Sequence, residues 1–314
     1  MKKWYINGVG MFINGEWQIQ DVNPRTISGA FERLPTTIRQ QINSSGPYTP
    51  DSLRYHLIVS YACPWAHRAL IIRKIKGLVN HIPLSVVHPY MGKRGWDFSK
   101  APGVLPPMFG HFYHLGEIYL AHDPTFTGRV TVPVLWDTKT NQIINNESSD
   151  IIRMFNNAFN SLTNNLEDLY PPKLTSTIDQ WNQYIYDAIN NGVYKVGFSR
   201  SQEIYEKEVV QLFVALDKIN DHLATNNFLC GDVLTEADIR LFVTLIRFDP
   251  VYVGHFKCNL NRIKDYDHLS NYLKRIQSTH DIEDTIRMDH IKQHYYQSHP
   301  TINPSGIVPL GPRD

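Results

Sequence analysis

A cysteine-proline pair set where a strand gives way to a helix, with a second strand following, constrains this chain more than any other feature. Tyr55-His56-Leu57-Ile58-Val59-Ser60 is a short apolar, β-branched run that reads as a buried strand. Cys63-Pro64 then opens a helical segment in which Pro64 suits the first helical position and Gly77 the stop. Leu84-Ser85-Val86-Val87 reads as a second strand. Strand, helix and strand make a βαβ unit, whose strands pair in parallel through a right-handed crossover.

Residues 132–137, a turn at 138–141 and residues 142–144 read as a hairpin, followed by a helix starting at Ser148 or Ser149. The order is therefore βαβ, then ββα. Between the two lies a long Gly, Pro and aromatic stretch with a short helical piece near 115–120; loops of this length within a domain are functional or disordered. Beyond about residue 175 the pattern turns helical, with apolar residues three or four apart in 201–225, 236–248, 266–279 and 282–296. The expected fold class is α/β plus all-α: an extended arm over 1–54, a first domain over 55–160, an all-helical second domain over 161–300, and a tail over 301–314. The arm shows scattered apolar anchors, Phe12, Trp17, Phe31 and Leu34, and no sustained period.

The chain's 314 residues, 42% hydrophobic and 19% charged, suffice for two cores. Its 31 Lys and Arg nearly balance 30 Asp and Glu, so no strong field draws the molecule to nucleic acid or an anionic membrane. A small molecule is the expected partner. Polar residues interrupt the N-terminus before a signal-peptide core forms, and no run approaches the roughly 18 apolar residues of a membrane span. Cys63, Cys230 and Cys258 are odd in number and widely spaced, which fits a reducing cytoplasm. His290 and His294 stand four apart but lack the glutamate of the zinc protease motif, and His111 with His114 has no supporting cysteine, so no metal is expected. Walker and G-x-S-x-G patterns are missing from the sequence.

Cys63 carries the chemistry in this reading. At a helix start the positive end of the dipole stabilises a thiolate, the reactive form. A lone cysteine beside Ala62 also reads as a small buried apolar residue, but its position favours reactivity. The fourth position of the motif is Ala66, so Cys63 cannot close a disulfide within Cys-x-x-Cys geometry and a mixed disulfide on it must be resolved by an external thiol. Glutathione is the abundant one in a reducing cytoplasm. Val132-Pro133 opens a strand, as a cis turn that would present the Val132 backbone to a peptide or as an ordinary edge proline. Glu147-Ser148-Ser149 precedes a helix, where amides and hydroxyls favour a carboxylate and Glu147 an ammonium; without Cys63 in the chain a plain N-cap is the preferred reading. Thr235-Glu236-Ala237-Asp238 is a capping box. Tyr194, Tyr252 and Tyr295 lie on helical segments from which they could line one cavity, although each alone is more often a core or surface aromatic.

Cys63-Pro64-Trp65-Ala66-His67-Arg68, Gly128-Arg129-Val130-Thr131-Val132-Pro133 and Asn145-Asn146-Glu147-Ser148-Ser149 closely resemble the glutathionyl-hydroquinone reductases, the xi class of glutathione transferases. The likeness continues through Asn191-Gly192-Val193-Tyr194, Leu234-Thr235-Glu236-Ala237-Asp238, His294-Tyr295-Tyr296 and Ile302-Asn303-Pro304-Ser305-Gly306, spanning most of the chain. The resemblance implies a thioredoxin-like first domain, a helical second domain and a homodimer. It also implies that Trp96, Arg129, Val132, Glu147 and Ser148 hold glutathione as cosubstrate, while Tyr194, Tyr252 and Tyr295 surround a quinol ring and assist Cys63. Ile38 stands where the family's arm has an aromatic, and Ile276-Gln277-Ser278-Thr279-His280-Asp281 replaces a Tyr-Gln-x-Pro-Gly-like stretch, which bears on ring preference. The implied activity is reduction of glutathionyl-hydroquinones. The rivals are an omega-like thioltransferase or dehydroascorbate reductase using the same thiol, and a non-catalytic binding protein on the same fold.

Overall fold

The computed structural model describes residues 10–19 and 36–313, so Phe31 and Leu34 of the arm lie outside the described residues. The chain divides into two compact units, one of described residues 10–19, 36–166 and 287–308, the other of 167–286 and 309–313.

The first unit is built on a four-stranded mixed sheet. Strands β1 (Gly10–Ile13) and β2 (Glu16–Ile19) form a separate hairpin; the sheet itself comprises β3 (Tyr55–Val59), β4 (Leu84–Val86), β5 (Val134–Asp137) and β6 (Gln142–Asn145), in the order β4-β3-β5-β6. β3 pairs β4 in parallel with Leu57 opposite Leu84, as the βαβ reading requires, and pairs β5 antiparallel with Leu57 opposite Leu135. Every residue of β3 is buried, which explains why it reads as a continuous apolar run and not as an alternation. Helix α1 (Pro64–Ile75) crosses between β3 and β4, α2 (Leu115–His122) precedes β5, and α3 (Ser148–Asn157) follows β6.

The arm is more structured than its composition indicates. Asn14 and Gly15 both take positive φ, 50° and 79°, giving the two-residue turn that matches the twist of a hairpin. The hairpin then docks on Gly128 through a reciprocal backbone pair, Phe12 N to Gly128 O at 2.9 Å and Gly128 N to Phe12 O at 3.0 Å. Residues 38–40 run beside β6, with Gln40 N donating to Ile144 O at 2.9 Å and Asn146 N to Ile38 O at 3.0 Å, so an otherwise open sheet edge is covered. Both segments are too short to show a period.

The second unit is helical. After the single turn α4 (Asn160–Thr163) of the first unit come α5 (Thr175–Ile185), α6 (Gly192–Gly197), α7 (Gln202–His222), α8 (Glu236–Arg247), the turn α9 (Val253–His255) and α10 (Asp267–Gln277). Ser201 caps α7 by accepting from Ile204 N at 3.2 Å. The capping box at Thr235 is present, and its Asp238 is fully buried, accepting from Leu229 N, Thr235 N and Oγ1, and Tyr272 Oη at 2.8–2.9 Å. The periodic stretch 282–296 is not one helix: a 3-10 turn, Ile282–Thr285, closes on itself, Arg287 leaves helical backbone, and α11 (Met288–Ser298) starts afresh within the first unit. Ile282 and Ile291 are both buried, so the apolar spacing runs through the break unaltered. No helix among the described residues is long and apolar enough to cross a membrane.

Candidate active site

Cys63 is the N-cap residue of α1, with extended backbone at φ −75° and ψ 120°, and is partly exposed. Pro64 occupies the first helical turn, where its missing N–H costs nothing and its fixed φ starts the helix. The sulfur sits on the dipole's positive end, which favours the thiolate. Its thiol faces the backbone carbonyl of Val132 at 3.6 Å. The Val132-Pro133 bond is cis, the first of the two alternatives open in the sequence. On the helix, the Arg68 guanidinium lies 4.5 Å from the Trp65 ring centroid, a cation–π contact that ties the first two turns together.

One phenol organises the edges around that pair. Tyr119, fully buried on α2, donates to Thr131 O at 2.9 Å, and its oxygen accepts from Thr131 N at 3.3 Å and Asn146 Nδ2 at 3.2 Å. Thr131 precedes Val132 and Asn146 precedes Glu147. Burial pushes the Tyr119 hydroxyl up from its ordinary value, keeping it the neutral donor this junction needs.

Glu147 is the N-cap of α3. Its Oε1 accepts from Ser149 N at 3.0 Å and Ser149 Oγ at 3.1 Å, while Oε2 accepts from Thr36 Oγ1 at 2.9 Å. The carboxylate thus occupies the mouth of its own helix. Three residues on, Asp150 receives Arg39 in a two-pronged pair at 2.7 and 2.6 Å, plus Asn145 Nδ2 at 3.2 Å. Burial works to raise the Asp150 carboxyl, but the Arg39 and Asn145 bonds prevail and hold it below the ordinary range. The arm therefore grips the first turn of α3 at two points.

Trp96, 6% exposed, stacks on His294 of α11 with ring centroids 4.8 Å apart. Arg129 is partly exposed and follows Gly128, where the hairpin docks. Tyr295 neighbours His294 on α11 and is 2% exposed. Cys63, Trp96, Arg129, Val132, Glu147, Ser148 and Tyr295 all lie in the first unit.

A strand-end cysteine at a helix start, a cis-proline beside it and a Glu-Ser helix mouth point to one superfamily, and the comparisons agree. The glutathione S-transferase N-terminal domain matches residues 62–158 and the C-terminal domain matches 202–275. The glutathionyl-hydroquinone reductase of Escherichia coli strain K12 is 46% identical over 97% of this chain and 95% of its own length. The crystal structure of the glutathione-S-transferase Xi from Phanerochaete chrysosporium superposes with a TM-score of 0.90 at 48% identity, over 92% of this chain and 95% of that one. The chain belongs to the xi-class glutathione transferases. The glutathione-bound structure of a homolog from Escherichia coli K-12 is similar over 97% of this chain and 96% of that one, at 45% identity and a TM-score of 0.89. The first unit is thus the thioredoxin-like half of a glutathione transferase fold, and the second its helical half.

In this xi-class chain two of the three tyrosines, Tyr194 and Tyr252, lie in the second unit. They meet there, with ring centroids 6.3 Å apart, and Phe256 stacks on Tyr252 at 5.4 Å. Tyr252 is fully buried and Tyr194 partly exposed, whereas Tyr295 belongs to the first unit. Cys258 is fully buried, and burial pushes its thiol far up. Cys230 is only partly buried, though burial raises its thiol as well. Among the described residues no group of three or more His, Cys, Asp or Glu side chains gathers as metal ligands would. Sequence reasoning missed Tyr119, Thr36 and Arg39, which act through residues more than ten positions away. Only the turn signal Asn14-Gly15 was there to be read.

Proposed function

We propose that this xi-class chain is a glutathionyl-hydroquinone reductase, with glutathione as cosubstrate and Cys63 as nucleophile. The Cys63 thiolate attacks the sulfur of a glutathionyl-hydroquinone; the S–S bond forms as the sulfur–carbon bond breaks, and the departing ring carbon takes the electron pair and a proton. Hydroxyls of Tyr194, Tyr252 and Tyr295 assist by hydrogen-bonding the ring oxygens and favouring the keto tautomer, from which carbon leaves readily. A second glutathione attacks the mixed disulfide, releasing oxidised glutathione and restoring Cys63. The balance is glutathionyl-hydroquinone plus glutathione to hydroquinone plus oxidised glutathione, so the ring carbon is reduced and two sulfurs are oxidised.

The observation that carries this reading is a partly exposed cysteine at the start of α1, 3.6 Å from the Val132 carbonyl, with alanine where an internal resolving cysteine would stand. Val132 offers its backbone to the cysteinyl part of glutathione, Glu147 and Ser148 receive the γ-glutamyl end, and Trp96 and Arg129 complete the hold. The enzyme works in the cytoplasm as a homodimer, as the odd number and wide spacing of the cysteines and the family resemblance support. The test is to follow hydroquinone release from a glutathionyl-hydroquinone with glutathione present. The wild type turns over, and Cys63→Ser falls by at least about 10³-fold, the loss expected when a covalent nucleophile is removed. Wild-type turnover confined to other glutathione mixed disulfides would favour an omega-like thioltransferase. Conjugate binding without any turnover would favour a scaffold, and full activity in the variant would overturn the cysteine mechanism.

A further inference from the structure

His290 and His294, four apart on α11, are given the same task by the structure. Each points from α11 to a backbone carbonyl of the loop that carries Trp96: His290 Nε2 to Pro102 O at 2.7 Å and His294 Nδ1 to Pro89 O at 3.0 Å. A carbonyl only accepts, so these nitrogens carry the protons. One turn further, Ser298 Oγ accepts from Met91 N at 3.0 Å. Positions 290, 294 and 298 are spaced i, i+4 and i+8, one stripe along one helix face. All three are at least nine-tenths buried, and His294 also stacks on the Trp96 ring at 4.8 Å.

Two details show that this stripe does more than fill space. Gly103 takes φ +80°, and a Cβ there would meet His290 Nε2 and Arg287 Nη1 at 2.7 Å, so the loop approaches the helix as closely as a missing side chain allows. His290 Nδ1 is buried with no hydrogen-bond partner. Leaving a buried acceptor unsatisfied is unfavourable, and an apolar residue at this position would avoid it. The Nε2 bond is what the histidine supplies in return.

We propose that His290, His294 and Ser298 form a clamp that fixes the 89–102 loop and so positions Trp96 for glutathione, with Tyr295 carried on the same helix. The clamp rests on the reading that Trp96 holds glutathione. Its three members are positioning residues. Removing one bond frees the loop at one point of three and weakens glutathione binding, while Cys63, held by α1, keeps its reactivity.

The test measures glutathione affinity by calorimetry, independently of turnover, with thermal midpoint and the iodoacetamide rate at Cys63 recorded in parallel. His290→Leu weakens glutathione binding about 5-fold, the equivalent of one hydrogen bond of about 1 kcal/mol. His290→Gln, whose amide nitrogen can take the place of Nε2, stays within about 2-fold of wild type, and Ser298→Ala weakens binding about 3-fold. In a Trp96→Ala background both losses vanish, since the clamp then has nothing to position. Equal affinities for the Leu and Gln variants, losses that persist without Trp96, or a lower thermal midpoint with unchanged affinity would each overturn the clamp. Should His290→Leu fail to fold, Ser298→Ala with and without Trp96 decides alone. A wild type that binds glutathione but releases no hydroquinone would defeat the proposed reaction and leave the clamp standing.

Discussion

Three cysteines share this chain and only one has surroundings that suit attack. Cys258 is sealed in the second unit and Cys230 lies against Thr235 with burial raising its thiol, whereas Cys63 is partly exposed at a helix start. Iodoacetamide at neutral pH therefore labels Cys63 first and leaves Cys258 unmodified in the folded protein, which peptide mass mapping reads directly. A second residue-scale expectation concerns His56. Burial, with Arg73 adding repulsion, lowers its imidazole to about 4, and its Nε2 meets Ser85 Oγ at 2.7 Å. A base whose folded pKa is depressed takes up its proton in the unfolded chain first. Its stabilising effect is complete above about pH 6.5 and is lost as pH falls toward 4, by about 3 kcal/mol in all. Urea titrations across that window should show His56→Gln with a shallower acid decline than the wild type; parallel declines would refute the assignment. The helix-start position of Cys63 was legible because it depends only on immediate neighbours, the strand before it and Pro64 after it. Tyr119 was not, because nothing near it in sequence reveals that its hydroxyl joins Thr131 to Asn146.

At the scale of elements, the arm is the part that sequence pattern conveyed least. Strand-like pairing over three residues, 38–40, produces no alternation, and its partners sit more than a hundred positions away. The βαβ and ββα units were readable because each strand is a run of three to five residues built on apolar side chains and each helix has a start signal. The arm's value lies in what it grips. Arg39→Met removes the pair to Asp150, loosens the first turn of α3 and, in the proposed reading, raises the KM for glutathione about 3–10-fold with little change in kcat. That range corresponds to about 1 kcal/mol of lost positioning, the most that a largely exposed ion pair supplies. Asp150→Asn should do the same, and the double variant should lose no more than either alone. Additive losses would mean that the two side chains act separately. On acidification the Asp150 carboxyl, held low by Arg39, keeps the grip until the pH falls below its ordinary range and releases it as that depressed value is passed.

At the scale of the molecule, the two-unit plan was legible and one seam was misread. A single apolar period runs from Ile282 to Ile291, although a 3-10 turn ends one unit and α11 rejoins the other. Periodicity records which residues are buried and is blind to which core they enter. Each core keeps its own polar anchor. In the second unit Asp238 accepts bonds from two amides and two hydroxyls inside a fully buried site, so Asp238→Ala strands four donors. The expected cost is roughly 3–5 kcal/mol, seen as a large fall in urea midpoint, with Tyr272→Phe costing about 1 kcal/mol. A neutral Asp238→Ala would show that water takes over the site. The central claim, however, is a covalent bond to one sulfur. Mixing the reduced enzyme with excess glutathionyl-hydroquinone and no free glutathione, then quenching for intact mass, isolates that step. The account predicts one hydroquinone released per enzyme and one glutathionyl adduct mapped to Cys63, cleared when glutathione is added. Hydroquinone released with Cys63 unmodified, or no release until free glutathione is present, would contradict it.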